Sequence, residues 1–200
     1  MPPKPKVHAD HILTLVTAPS EYPVTLAEAK AHCRVDFTDD DTYITSLITA
    51  ATTYLDYQYG ILGQALITQR WSVAVDGPAV DAEENFDHIH IPIVPTQTLI
   101  SIQYYDTDEV LQTATLSDFR LVADGSWAYV RPNTGVDWPT TYDRADAITV
   151  TADCGFGDPE DVPSTIKHAM LLLICHWYEN RESVSAGIDM MTVPIVTGKQ

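Results

Sequence analysis

Residues Asp161 to Ser183 read DVPSTIKHAMLLLICHWYENRES, and the fold turns on this stretch. Val162, Ile166, Ala169, Met170, Leu173, Ile174 and Trp177 recur at i, i+3 and i+4 spacing, which predicts one long helix with an apolar stripe. Leu171, Leu172 and Cys175 fill the other faces, so the helix is hydrophobic almost all round. A large aliphatic side chain left in water forgoes roughly 1.5–3 kcal/mol of burial. A 200-residue chain can cover one side of such a helix, and a neighbouring copy is expected to cover another.

Two shorter helical patterns precede it. Thr25-Leu-Ala-Glu28 has the spacing of a capping box, with Pro23 and Val24 leading in, and predicts a helix to about Arg34. Asp39, Asp40 and Asp41 sit where a helix dipole favours negative charge, ahead of Ile44, Leu47, Ile48, Ala51, Leu55 and Tyr59 on one face; Gly60 is the expected stop. From Gln64 the period becomes alternating. Ile67, Gln69, Trp71, Val73 and Val75 share one strand face, Ile89, Ile91 and Ile93 a second, and Ile100, Ile102 and Tyr104 a third. Asp106 to Glu109 reads as a hairpin connection, and short strands are expected at Phe119–Val122, Trp127–Arg131 and Ile148–Ala152, separated by turn clusters.

About six strands with no helix between them argue for an antiparallel unit. The expected class is therefore α+β: a small helical bundle of two N-terminal helices plus one long C-terminal helix, with an inserted antiparallel β sandwich or barrel and extended terminal arms. The boundaries are an arm at 1–22, a discontinuous bundle at 23–62 and 159–182, a β insert at 63–158 and a second arm at 183–200. Ile12 to Val16 could add as an edge strand or lie against a neighbour. Met190, Met191, Val193, Pro194, Ile195 and Val196 give the last arm apolar anchors of the kind that order on a partner.

Charge is distributed unevenly. Gly63 to Asp161 holds 17 acidic and 4 basic residues, a net of −13, whereas Val162 to Gln200 holds 3 of each. Nucleic-acid binding needs clustered cations to displace counterions, and the 11 basic residues here are scattered. Cys33, Cys154 and Cys175 form no C-x-x-C pair and read as small buried hydrophobes in a reducing compartment. The N-terminus has no signal-peptide pattern, and the longest apolar run, Ala169 to Cys175, is far too short to span a membrane.

Chemical motifs are sparse. His88 and His90 face one side of a strand but lack a third metal ligand in spacing. Asp106, Asp108 and Glu109 start like a calcium loop without its glycine or final glutamate, and Gly155-Phe-Gly157 lacks the lysine of a phosphate loop. No catalytic residue, cofactor or metal ligand is expected. His168 and His176 lie two turns apart and read as polar contacts at an interface.

Four segments resemble the head-tail connector (adaptor) proteins of tailed double-stranded DNA bacteriophages and gene transfer agents. They are Pro23-Val-Thr-Leu-Ala-Glu-Ala-Lys-Ala-His-Cys-Arg-Val-Asp36, Asp40-Asp41 with Ile44, Leu47, Ile48, Ala50 and Ala51, Leu66-Ile-Thr-Gln-x-Trp71, and Val162-Pro163 through Glu182. The resemblance implies a non-enzymatic virion protein made in the host cytoplasm, building a ring of usually twelve copies between the portal and the stopper or tail-completion protein. Its partners would be itself, the portal, the stopper, and genomic DNA passing without sequence-specific binding; no membrane is involved. Ile166, Met170, Leu171, Leu172, Ile174, His176, Trp177, Tyr178 and Arg181 would then form the subunit interface, and residues Met190, Met191 and Val193 to Val196 the portal contact. Cys33 departs from the leucine expected there, and the chain stops at Gln200 where relatives usually continue. Alternatives are a stopper or tail-completion protein of the same particle, an acidic DNA-mimicking inhibitor, and a metal-dependent enzyme built on His88 and His90.

Overall fold

The computed structural model describes residues 11–57, 60–80 and 87–181. Three helices, α1 (Leu26–Cys33), α2 (Asp41–Leu55) and α3 (Ser164–Glu179), flank nine strands, which bears out the α+β class. The strands are β1 (Ile12–Thr17), β2 (Gln69–Val75), β3 (Ala79–Val80), β4 (Asp87–Ile91), β5 (Thr96–Tyr105), β6 (Leu111–Thr113), β7 (Phe119–Ala123), β8 (Ala128–Pro132) and β9 (Ile148–Cys154). Among the described residues no helix is long and apolar enough to cross a membrane.

Every pairing between these named strands is antiparallel, in a five-stranded sheet ordered β1-β2-β9-β5-β6 and a four-stranded sheet ordered β3-β4-β8-β7. Alternation decides which side chains go inward. In β2, Gln69, Trp71, Val73 and Val75 are buried while Arg70, Ser72 and Ala74 are half-buried, and β9 repeats the pattern with Ile148, Val150, Ala152 and Cys154. These meet Ile89, Ile91, Phe119, Ala128 and Val130 from the smaller sheet to make one core. The segment Ile12–Thr17 takes the edge-strand option and pairs with β2, so it belongs to the sandwich rather than to a free arm.

One strand departs from simple alternation. Between Leu99 and Ser101 the β5–β9 register shifts, leaving Ile100 as the extra residue of a bulge. The bulge inverts parity, so Leu99 packs on the core with Ile102 and Tyr104, whereas Ile100 does not. The expected Ile100–Ile102–Tyr104 face is corrected accordingly.

The helices form their own layer. The Thr25 hydroxyl accepts from the Glu28 backbone N–H at 3.2 Å, and the Thr25 N–H donates to the Glu28 carboxylate at 2.7 Å, so the capping box is present. Arg34 closes α1 in the left-handed region at φ 57°. In α2, Ile44, Leu47, Ile48, Ala51 and Leu55 are all buried. With Val24, Ala29, Val35, Leu66, Met170 and Ile174 they make a second core.

That helix ends at Leu55, earlier than the expected stop near Gly60, because Asp56 turns extended and puts its carboxylate to other use. The Asp56 carboxylate accepts from the Leu66 N–H at 2.9 Å and from the Gln69 amide at 3.2 Å, and the Gln69 carbonyl accepts from the Trp71 indole N–H at 3.1 Å. Leu66 belongs to the helical core and Trp71 to the sandwich core, so this buried polar relay spans the junction. Alongside it the two crossings are laced together: Phe156 N–H donates to the Leu66 carbonyl at 3.2 Å and Thr68 N–H to the Gly157 carbonyl at 2.9 Å.

Candidate assembly surface

Proline at 163 opens α3, where its missing N–H costs nothing. The helix then packs one side against α1 and α2. Met170 and Ile174 are fully enclosed, with Ile166, Leu171, Leu173, Trp177 and Tyr178 partly so. Ala169, expected in the buried stripe, faces out. The outward side carries Thr165, His168, Ala169, Leu172, His176 and Glu179, and Leu172 keeps 53% of its surface exposed.

Several expected contact residues are engaged within the chain. Met170 and Ile174 have no surface left for a neighbour, because two helices of the same chain already enclose them; they are corrected from interface to core. The Tyr178 hydroxyl donates to Asp40 Oδ2 at 2.6 Å, and Arg181 reaches the same oxygen at 3.3 Å while its guanidinium lies 4.5 Å from the Tyr43 ring centre. The hydrogen bond to that carboxylate raises the Tyr178 pKa. This cluster ties the end of α3 to the start of α2, so Tyr178 and Arg181 serve first as an internal clasp. Trp177 meets Tyr54 edge-on with ring centres 6.3 Å apart. Leu172 and His176 remain fully outward, and Ile166 and Leu171 half so. The anchors Met190, Met191, Val193, Pro194, Ile195 and Val196 lie outside the described residues.

Polar contacts set the pitch of α1 on α3. Lys167 pairs with Glu28 at 3.0 Å, and the His32 and His168 rings meet edge-on at 5.9 Å. Burial pushes the Cys33 thiol up to about 12, helped by the facing Cys175 thiol. Cys154 is likewise pushed up to about 12 by burial in the sandwich. Both stay protonated at neutral pH and act as small apolar packing groups.

The remaining motif residues take structural places. Asp106 holds the β5–β6 hairpin: its carboxylate accepts from the Asp108 and Val110 N–H groups at 3.1 and 2.9 Å and from the Gln112 amide at 2.7 Å. The Val110 bond is the largest cause of its lowered pKa. His88 meets the Tyr129 ring edge-on at 5.3 Å and His90 meets His11 at 5.9 Å. Among the described residues no group of three or more His, Cys, Asp or Glu side chains is arranged for a metal ion.

Sequence reasoning missed the Asp56–Gln69–Trp71 relay and the Asp40–Tyr178–Arg181 clasp. Gln69 was visible as the one polar residue on an otherwise apolar strand face, a signal that its side chain must find buried partners.

Comparisons place this geometry among known proteins. Residues 23–115 match the model of a family described as phage gp6-like head-tail connector protein, which bears out the resemblance read from the sequence. A search of curated sequences returns no match. The fold is shared with a chain in the neck of an empty gene transfer agent particle computed with C6 symmetry, at a TM-score of 0.66 and 23% identity over 88% of both chains. A chain of the native gene transfer agent virion gives 0.62 and 21% over 89% of both. A chain of the native neck computed with C12 symmetry gives 0.61 and 21%, covering 89% of this chain and 88% of that one.

Proposed function

We propose that this chain is a ring-forming head-tail connector, an adaptor seated between the portal and the stopper or tail of a phage-like particle, with the genome passing through the ring. The carrying observation is the family match over residues 23–115, which spans α1, α2 and the strands from β2 to β6. We assign the meeting of copies to the outward side of α3, where Leu172 stands exposed. Thr165, Ala169, Leu172 and His176 recur at helical spacing on its outward side, flanked by half-exposed Leu171 and Leu173. A closed ring supplies an identical neighbour on each side through a heterologous contact and so covers that stripe without leaving free ends.

Twelve copies is the ring size we adopt, and the work of the protein is structural rather than catalytic. The net charge of −13 between Gly63 and Asp161 suits a channel component, since DNA slides past a surface that repels phosphate. The tail from Met190 to Val196 is the segment we assign to the portal. The test is particle mass, for the purified protein alone and mixed with its cognate portal, followed by imaging. Rings at the portal are the expected outcome; a protein that stays monomeric with the portal at every concentration would sink the reading.

A further inference from the structure

The fold treats its three cysteines differently. Cys154 is sealed in the sandwich core, whereas Cys33 and Cys175 are half-buried and sit on neighbouring helices. Lys167, Leu171 and Cys175 share one side of α3 at i, i+4 and i+8 spacing. Lys167 on that side pairs with Glu28 of α1 at 3.0 Å, so the side that carries Cys175 faces α1. Cys33 is the last residue of α1, one turn beyond buried Ala29, and packs against the helical core. The two thiols meet at this seam, close enough for a side-chain hydrogen bond between them. Glu179 joins them, its carboxylate 3.8 Å from the Cys175 sulfur, yet the described groups are not arranged to hold a metal ion. What two adjacent thiols can do without a metal is oxidise to a disulfide.

We propose that Cys33 and Cys175 are a modification site, closing as an intramolecular disulfide in an oxidising medium and stapling the end of α1 to α3. A thiolate of the pair attacks a small-molecule disulfide such as oxidised glutathione, breaking its S–S bond and expelling one glutathione thiolate. The second protein thiolate attacks the mixed disulfide at the protein sulfur, forms the Cys33–Cys175 bond and expels the other glutathione. Two protons pass from the protein thiols to the two glutathiones; the protein gives up two electrons and oxidised glutathione takes them.

Burial keeps Cys33 protonated at neutral pH, so closure is slow and the pair stays open while the surroundings are reducing. The setting, though not the pair, rests on the connector reading: a particle component is made inside a cell and meets a more oxidising medium on release. The polar contacts at this seam, Glu28 with Lys167 and His32 with His168, are of the partly solvated kind that hold weakly. A covalent tie there fixes the pitch of α3, which also carries the outward stripe assigned to neighbouring copies.

The test uses the full chain, purified in reductant, freed of it and held with oxidised glutathione well below its melting point. Peptide mapping should join the Cys33 and Cys175 peptides, the intact mass should fall by about 2 Da, and Cys154 alone should react with a thiol reagent after denaturation. Because the bond closes a long loop, the melting midpoint should rise by roughly 5–15 °C. Cys33→Ala and Cys175→Ala should each abolish both changes; should either variant fail to fold, the wild-type map decides. Three reactive thiols after treatment, glutathione retained on either cysteine, a bond between two copies, or a link to Cys154 would each overturn the site. A Cys33–Cys175 bond that lowers the midpoint overturns the staple. Every readout uses the chain without its portal, so failure here leaves the ring reading intact, and failure of the ring leaves these results standing.

Discussion

Leu172 and Ile174 stand two positions apart on one helix, and replacing each should separate assembly from folding. Leu172 is 53% exposed, so about half of the roughly 1.5–3 kcal/mol available from burying a leucine is still to be gained, about 1 kcal/mol per contact. Leu172→Asp forfeits that gain and also places a carboxylate where a neighbour would desolvate it, adding about 1–3 kcal/mol. The combined loss of about 2–4 kcal/mol weakens each contact by roughly 30- to 1,000-fold, since about 1.4 kcal/mol is a factor of ten. Folding should change little, by about 0.5 kcal/mol for a poorer helix former at an exposed site. Ile174→Ala inverts the pattern. Its side chain is fully buried, and truncation should cost about 2–5 kcal/mol of folding stability. Urea melts read the folding terms and sedimentation velocity with the portal reads assembly. Leu172→Asp that assembles like wild type, or that loses as much folding stability as Ile174→Ala, would refute the assignment of this stripe.

Other predictions concern the junction and the hairpin. Gln69→Leu should cost about 2–4 kcal/mol in urea melts, because it strands the Trp71 indole N–H and removes the amide donor from Asp56; a loss below about 1 kcal/mol would remove the relay from the stability account. Gly155 sits at φ 127°, and an added Cβ would run into the Ile67 carbonyl, so Gly155→Ala should lose about 1–3 kcal/mol, whereas an unchanged melt would mean the backbone relaxes freely. For Asp106, whose folded pKa is lowered, the stabilisation is present above the ordinary carboxylate range and is lost as pH falls through the lowered value. The Gln112 side-chain amide resonance should therefore titrate in acid below that range, and a flat profile would contradict the hydrogen bond.

What the sequence disclosed was governed by how local the deciding interaction is. The capping box at Thr25 and the alternation in β2 and β9 depend on neighbours along the chain, and both were legible. Ile100 was misplaced because a bulge is defined by the partner strand, which spacing alone does not supply. The stop of α2 moved for the same reason: Asp56 leaves the helix to meet Leu66 and Gln69. On α3 the excess of apolar residues was plain, yet which of them face out depended on where α1 and α2 lie, so Met170 and Ile174 were assigned to a surface they do not have. Tyr178 and Arg181 looked like contact residues because their partner, Asp40, is distant in sequence.

The lacing of the two crossings bears on the order in which the molecule is made. Helices α2 and α3 pack together, yet the whole insert separates them in the chain, and its ends meet through Leu66 with Phe156, Thr68 with Gly157 and the adjoining β2–β9 ladder. Closing so long a loop is entropically slow unless structure inside it draws the ends together first. We expect β2, β5 and β9 to gain amide protection during refolding before α3 does, as pulsed hydrogen exchange would read. A nascent chain whose sandwich has not closed then has no seat for its last helix, and the outward side of that helix is presented only once the insert is complete.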